Sequence, residues 1–173
     1  MLKYAYQSIV FLALTLCVGC VPFDSRIRSE TVNKLNTRSI SGIFSNHASY
    51  KTAGNFPRID NLASLFDVSA TTSDRVQVTL DANNVLTLTW FSGTEEKAAK
   101  TFSVVFDKDG AIDIRGRATA SGVVAYKAIH TRLFQNTVGD LVVIQSEGNG
   151  GLYGFLIPFG MYTKHLSIFP QQR

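Results

Sequence analysis

The sequence predicts an all-β domain: a small antiparallel up-and-down barrel or a two-sheet sandwich, with one short helix. Three observations carry that expectation. Apolar and polar residues alternate in run after run, which is the period of a half-buried strand. Tight-turn residues separate the runs at short intervals. From Cys20 onward, Val, Ile and Thr supply 37 of 154 residues, and β-branched side chains suit a pleated surface.

The elements follow in order. Strands are expected near 39–45, 75–80, 85–92, 101–107, 111–117, 123–135, 141–147, 151–157 and 162–168. In the second of these, Val76, Val78 and Leu80 share one face and Gln77 and Thr79 the other. Leu86, Leu88 and Trp90 oppose Thr87 and Thr89 in the third. Phe102, Val104 and Phe106 line one side of the fourth, and Ile112 and Ile114 oppose Asp113 and Arg115 in the fifth. Asp81-Ala82-Asn83-Asn84 and Asp107-Lys108-Asp109-Gly110 read as hairpin turns, the second carrying the favoured Asp-Gly pair. Ser121-Gly122, Val138-Gly139-Asp140 and Glu147-Gly148-Asn149-Gly150-Gly151 read as further turns, and Pro158-Phe159-Gly160 as a break. One segment, Pro57 to Phe66, reads as about two helical turns, with Asp60 or Asn61 as N-cap and Leu62, Leu65 and Phe66 on one face. It is expected to lie as a lid or plug over one end of the sheet.

Eight or nine short strands joined by tight turns form a meander. Closing such a meander into a barrel removes its edges, which favours a barrel over a sandwich. A barrel that crosses a membrane is disfavoured. Its strands would run about ten residues each with a lipid-facing apolar band, and the chain ends Phe169-Pro170-Gln171-Gln172-Arg173 rather than on an aromatic residue.

Composition narrows the function. The apolar fraction of 45% excludes a disordered chain. Two cysteines, Cys17 and Cys20, are too few for a disulfide scaffold. A net charge of +4 gives no case for nucleic acid as a partner.

Residues 1–19 differ from the rest. Lys3 is followed by the uncharged apolar run from Ile9 to Val18. Ten helical residues cover only about 15 Å, half the hydrocarbon core of a bilayer. A positive start, a short apolar run and a small residue at its end make an export signal. The end of that signal, Leu16-Cys17-Val18-Gly19-Cys20, resembles the lipobox of bacterial lipoproteins, with Cys17 where that family usually has Leu. The resemblance implies cleavage between Gly19 and Cys20 and attachment of diacylglycerol to the Cys20 thiol. Two or three acyl chains are enough for stable anchoring. By the family's sorting rule, Val21 in place of Asp directs the protein to the periplasmic side of the outer membrane. Three regions result: a signal peptide over 1–19, a lipidated N-terminus and flexible tether over 20–38, and the β domain over 39–173. The tether is charged and lacks a sustained period, apart from a candidate helical turn at Ser29–Leu35. As a flexible chain its 18 residues span roughly 23 Å on average, and about 60 Å when fully extended.

Candidate chemistry is sparse. With Cys17 removed and Cys20 acylated, no thiol remains for a nucleophile, a zinc site or a disulfide. His47, His130 and His165 have no metal-site spacing. His130 shares a strand face with Tyr126, Arg132 and Phe134, which is either a polar patch in a ligand cavity or the solvent side of a strand. There is no G-x-S-x-G elbow. Asp107-x-Asp109-Gly110 lacks the remaining ligands of a calcium loop and fits a turn better. Gly148, Gly150, Gly151 and Gly154 are not followed by a helix, so they form no phosphate cradle. Ser41-Gly42-Ile43-Phe44 is similar to the Gly-x-Trp that opens many lipocalin-like barrels, with Phe44 in the Trp position; the resemblance implies a barrel. The expectation is a non-enzymatic binding module without cofactor or metal, holding an apolar ligand in the barrel. The alternative is a structural or assembly partner of other envelope proteins.

Overall fold

A computed structural model describes residues 40–51, 60–115, 119–120, 125–153 and 157–172. The expected signal peptide, the cleavage site at Gly19 and Cys20 and the tether all lie outside the described residues.

Twelve strands and one helical turn are described. The strands are β1 Gly42–Ser45, β2 Tyr50–Lys51, β3 Arg75–Leu80, β4 Val85–Ser92, β5 Glu95–Ser103 and β6 Val105–Phe106. Then come β7 Ile112–Arg115, β8 Thr119–Ala120, β9 Ala125–Gln135, β10 Leu141–Tyr153, β11 Ile157–Phe169 and β12 Gln171–Gln172. The helical turn, α1, is Leu62–Leu65. The strands form two antiparallel sheets. Sheet one has the order β12-β1-β3-β4-β5, and sheet two the order β2-β11-β10-β9-β7-β6, with β8 on β9. The fold is thus all-β with one short helix, in the range from barrel to sandwich that the sequence predicts. The two ladders do not join into one ring. The chain passes between them four times: from β1 to β2, from β2 back to β3, at Val104 from β5 to β6, and at Pro170 from β11 to β12.

Three tight turns share one device. In each, a side-chain oxygen accepts two backbone N–H bonds ahead of it. Asp81 Oδ1 takes them from Asn83 (2.9 Å) and Val85 (2.8 Å). Asp107 Oδ1 takes them from Asp109 (2.8 Å) and Ala111 (2.9 Å). Asn136 Oδ1 takes them from Val138 (3.1 Å) and Asp140 (2.9 Å). The residue before the last has positive φ each time: Asn84, Gly110 and Gly139. This is the three-residue hairpin, a type I turn closed by a left-handed residue.

Among the described residues, the space between the sheets is filled. Phe44, Val76, Val78, Leu86, Leu88 and Trp90 of sheet one meet Ile112, Leu133, Leu141, Val143 and Phe169 of sheet two, and none is more than 1% exposed. A void able to admit a water molecule would leave its lining exposed, so these side chains line none. Leu62 and Ala63 of α1 belong to the same cluster, and Phe66 stacks at 5.2 Å on Phe102. The helical turn is therefore a plug, as expected, though the described turn is shorter than the two turns predicted.

The first amides of α1 are fully satisfied, which a one-turn helix needs. Asn61 is the N-cap and accepts from Ser64 N (2.7 Å). Asn46 Oδ1 accepts from Ala63 N (3.1 Å), and the Asn46 carbonyl from Leu62 N (2.9 Å). At the other end, Val68 N reaches Ala63 O (2.8 Å) and Asp67 N reaches Ser64 O (3.3 Å). That pair of bonds is a Schellman stop with Asp67 at φ 52° in place of glycine. Asp67→Gly is expected to stabilise the fold by about 0.5–1 kcal/mol, because glycine takes this conformation without steric cost. Urea denaturation measures it, and a loss of stability would contradict this reading of the cap.

The structure departs from the expected elements at four places. The single strand expected at 101–107 divides at Val104, where the chain leaves β5 of sheet one and enters β6 of sheet two, so Phe102 and Phe106 do not share one strand face. The other three have tertiary reasons too. β5 begins at Glu95, six residues before the expected start at 101. Ala98 and Phe102 pack against the core, and Glu95, Glu96 and Lys97 extend the strand beyond them in solvent, held by pairing to β4. Glu147–Gly151 is not a turn but lies within β10, paired to β9 up to Gly151 and to β11 up to Tyr153. Two partner strands hold that backbone extended despite its glycines. Pro158-Phe159-Gly160 is likewise not a break but lies within β11, where Pro158 faces Leu152 of β10. On its other side, among the described residues, β11 pairs at Ser167 and Ile168 with β2. A proline, which cannot donate, is tolerated along such an edge.

Candidate functional site

Sheet two is apolar on both faces. Its inner face packs against sheet one. Its outer face holds a second cluster of Ala111, Phe134, Val142, Ile144, Leu166 and Ile168, each at most 3% exposed, with Tyr50 against it. Val142 stands between Phe134 and Ile168 across the ladder, and Ile144 between Arg132 and Leu166. Burying each large side chain of this set contributes about 1.5–3 kcal/mol.

A charged row borders this cluster. Arg132 pairs through Nη2 with Asp107 Oδ2, and lies 3.4 Å from Asp109 Oδ2. The next residue along that face, His130, pairs through Nε2 with Asp113. β7 and β9 bring these groups together, because Asp113 stands opposite Arg132 in the ladder. The hairpin at 107–111 then folds Asp107 back over the same face. Burial pushes the Asp107 carboxyl up. The Ala111 amide, the Arg132 hydrogen bond and charge, and the Asp109 amide outweigh it and hold the group below its ordinary 3.8.

A carboxyl lowered in the folded state stabilises the fold above its unfolded pKa, and that contribution goes as pH falls through the folded value. Asp107→Asn keeps an acceptor for the turn but loses the pairing charge. The variant is expected to be less stable than wild type at pH 7, with the gap narrowing below about pH 4. Denaturation at pH 7 and pH 3 checks this; a gap that does not narrow would refute it.

Of the residues singled out from the sequence, His130, Arg132 and Phe134 do share a face. That face is the outer side of sheet two, not the interior between the sheets, so it lines no chamber there. Nor is it simply a solvent face, since Phe134 is 3% exposed. The Tyr126 side chain lies outside the described residues. His165 is on the opposite face of sheet two, across from Gln145, and His47 bridges to Asn61 beyond β1. The three histidines therefore do not converge. Asp107 and Asp109 serve the turn and Arg132. Among the described residues no group of three His, Cys, Asp or Glu is placed to hold a metal. Gly148, Gly150 and Gly151 lie in a strand, where the backbone amides serve the ladder.

Ser146 stands directly opposite His130 on this face, and Asp113, one pair further along β7, contacts His130, so serine, histidine and aspartate are neighbours there. Ser146 sits mid-strand between two partners, and its neighbouring amides are engaged in both ladders. An acyl-transfer site needs free N–H donors aimed at the developing oxyanion, and this row offers none from β10. What the arrangement provides is a fixed charged strip beside an apolar surface.

Sequence reading missed the outer cluster, although a signal was present. Leu141-Val142-Val143-Ile144 is an unbroken apolar run, the mark of a strand buried on both faces. Leu133-Phe134 and Ile168-Phe169 repeat it.

Fold and site together define a class: a two-sheet antiparallel β protein with a packed interior and a buried outer face. Beyond that class, no family model, no curated protein and no solved structure matches the chain.

Proposed function

We propose that this chain is a lipid-anchored protein of the bacterial cell envelope, held through Cys20 on the periplasmic side of the outer membrane, whose body docks another envelope protein. Support for the anchor comes from residues 1–20, with their export pattern and lipobox likeness. No catalytic step is part of the reading.

The choice between the two sequence-derived roles rests on one observation, the packed interior. An apolar ligand needs a chamber of a few hundred Å³, whereas Phe44, Leu88, Trp90, Leu133 and Leu141 are fully buried against one another. The docking role has a ready surface. Among the described residues, no strand pairs with the outer edge of β11 over Ile157–Lys164, a stretch suited to strand addition.

A photo-crosslinking residue at Lys164 on β11, in cells, is expected to give a defined protein adduct. The same residue at Lys97 on β5 serves as the comparison. No adduct at Lys164, together with a stoichiometric apolar molecule in native mass spectrometry, would return the ligand role. For the anchor, Cys20→Ser is expected to leave the precursor uncut and free of labelled fatty acid. Label entering that variant would sink the lipoprotein reading.

A further inference from the structure

β5 is the edge strand of sheet one. It pairs with β4, and among the described residues no strand pairs with its other side. Six of its nine residues are exposed. An open strand edge is a template for pairing with another chain, and every copy of this chain carries the same edge. Two identical edges can join antiparallel about a twofold axis, the commonest symmetry of a small assembly. On the anchor proposed above, copies share one membrane surface and meet often. The side chains of β5 therefore decide whether sheet one joins them.

Three features of β5 oppose that pairing. The first is Lys100. It stands opposite Leu88, which is wholly buried, so its side chain leaves the strand on the core side of the sheet. Its Nζ donates to the Phe66 carbonyl at the end of α1 (2.5 Å) and lies 5.6 Å from the centre of the Phe102 ring. Among the described residues no carboxylate pairs with it. A strand laid on β5 would set its own core-facing side chains beside Lys100 and take water from the ammonium. A charge buried without an opposite partner is costly. The second feature is a bulge. Trp90 faces Ala98 and Phe91 faces Glu96, which leaves Lys97 as an extra residue on β5. Such a residue disrupts the ladder and increases the local twist. The third is surface charge: Glu95, Glu96 and Lys97 are all exposed, with Lys97 Nζ 2.6 Å from Glu95 Oε2.

We propose that Lys100 guards this edge: its inward-facing charge, helped by the bulge at Lys97, keeps β5 from pairing with β5 of a second copy of the chain. The Phe66 carbonyl fixes where the ammonium sits, so one contact ties the guard to the plug. Strand addition to sheet one is then closed to a second copy, while the partner role proposed above uses sheet two. The inference does not depend on that role.

The test uses the chain from residue 20 with Cys20→Ser, which carries no lipid and so cannot assemble through acyl chains. With Lys100 in place it is expected to sediment as a monomer. Lys100→Met keeps the stem and loses the charge. Lys100→Gln also loses the charge but keeps a donor for the Phe66 carbonyl, and it decides the matter if the Met variant unfolds. Both are expected to self-associate at least tenfold more tightly than the parent, and β5 amides are expected to gain protection from hydrogen–deuterium exchange in the dimer. Lys100→Glu keeps an inward charge and loses the bond to Phe66, and is expected to associate no more tightly than the parent. Folded neutral variants that stay monomeric would overturn the proposal. A dimer that leaves β5 unprotected, or a parent chain already paired through β5, would overturn it too. Equal pairing by Lys100→Glu and Lys100→Met would make the hydrogen bond, not the charge, the guard, and would overturn it as stated.

Discussion

Trp90→Ala is expected to cost about 3–5 kcal/mol, a third or more of the stability of a typical domain. Trp90 is the largest fully buried side chain. It stands at the end of β4 just before the irregularity where β5 shifts register, between Val76 of β3 and Ala98 of β5. Close packing on every side leaves little room for relaxation, so truncation leaves a cavity. Its ring N–H has no partner among the described residues, so Trp90→Phe is expected to cost much less than the alanine variant. Urea denaturation of both variants gives the comparison. A cost below about 1 kcal/mol for Trp90→Ala would mean a loosely filled interior, and would reopen the apolar-ligand role.

The second large effect is expected at Asn46. This residue is fully buried just after β1, and it joins three pieces of chain. Its Nδ2 donates to Ser73 O (2.8 Å), its Oδ1 accepts from Ala63 N (3.1 Å), and its backbone N–H donates to Asp74 O (3.0 Å). Asn46→Leu keeps the branched skeleton but orphans the Ala63 N–H and the Ser73 carbonyl. Each buried orphan costs about 1–3 kcal/mol, so a loss of about 2–5 kcal/mol is expected. The loss should fall first on α1, whose amides near Leu62 should exchange faster than those of β3 and β4. Unchanged protection at α1 would show that the plug does not depend on Asn46.

These two residues also show what was legible beforehand. Trp90 announces itself by alternation with Leu86 and Leu88. Asn46 carries no such mark, because its partners are 17 and 27 residues away. A lone asparagine after a strand looks like any turn residue until α1 and the 73–74 loop are brought to it. The same contrast holds for the turns. Asp81, Asp107 and Asn136 act on amides two and four residues ahead, so local sequence is enough to find them. The Arg132–Asp107 pair is different. It depends on the hairpin folding over the outer face of sheet two, which no local pattern records.

The glycines of β10 make the point from the other direction. Gly148, Gly150 and Gly151 have every local reason to turn, and they do not, because two ladders hold the backbone on both sides. Pro158 has every reason to break a strand and sits inside one, because among the described residues no strand pairs with that side of β11 at its position. Propensity is worth about a kilocalorie per residue, and a pair of flanking strands outweighs it.

By itself, then, the sequence determined the strand content, the hairpins and the one plugging helix, because period-2 alternation and Asx turns act over a few residues. It also raised the expectation of export and lipid attachment at Cys20, which rests on a contiguous motif. Only the tertiary structure decided that the interior is filled among the described residues, that sheet two is buried on both sides at Val142–Ile144, and that His130 and Arg132 lie on an outer face beside Asp113 and Asp107. Those features depend on which face of a strand meets which partner, and a period-2 pattern names the two faces without saying what will cover them.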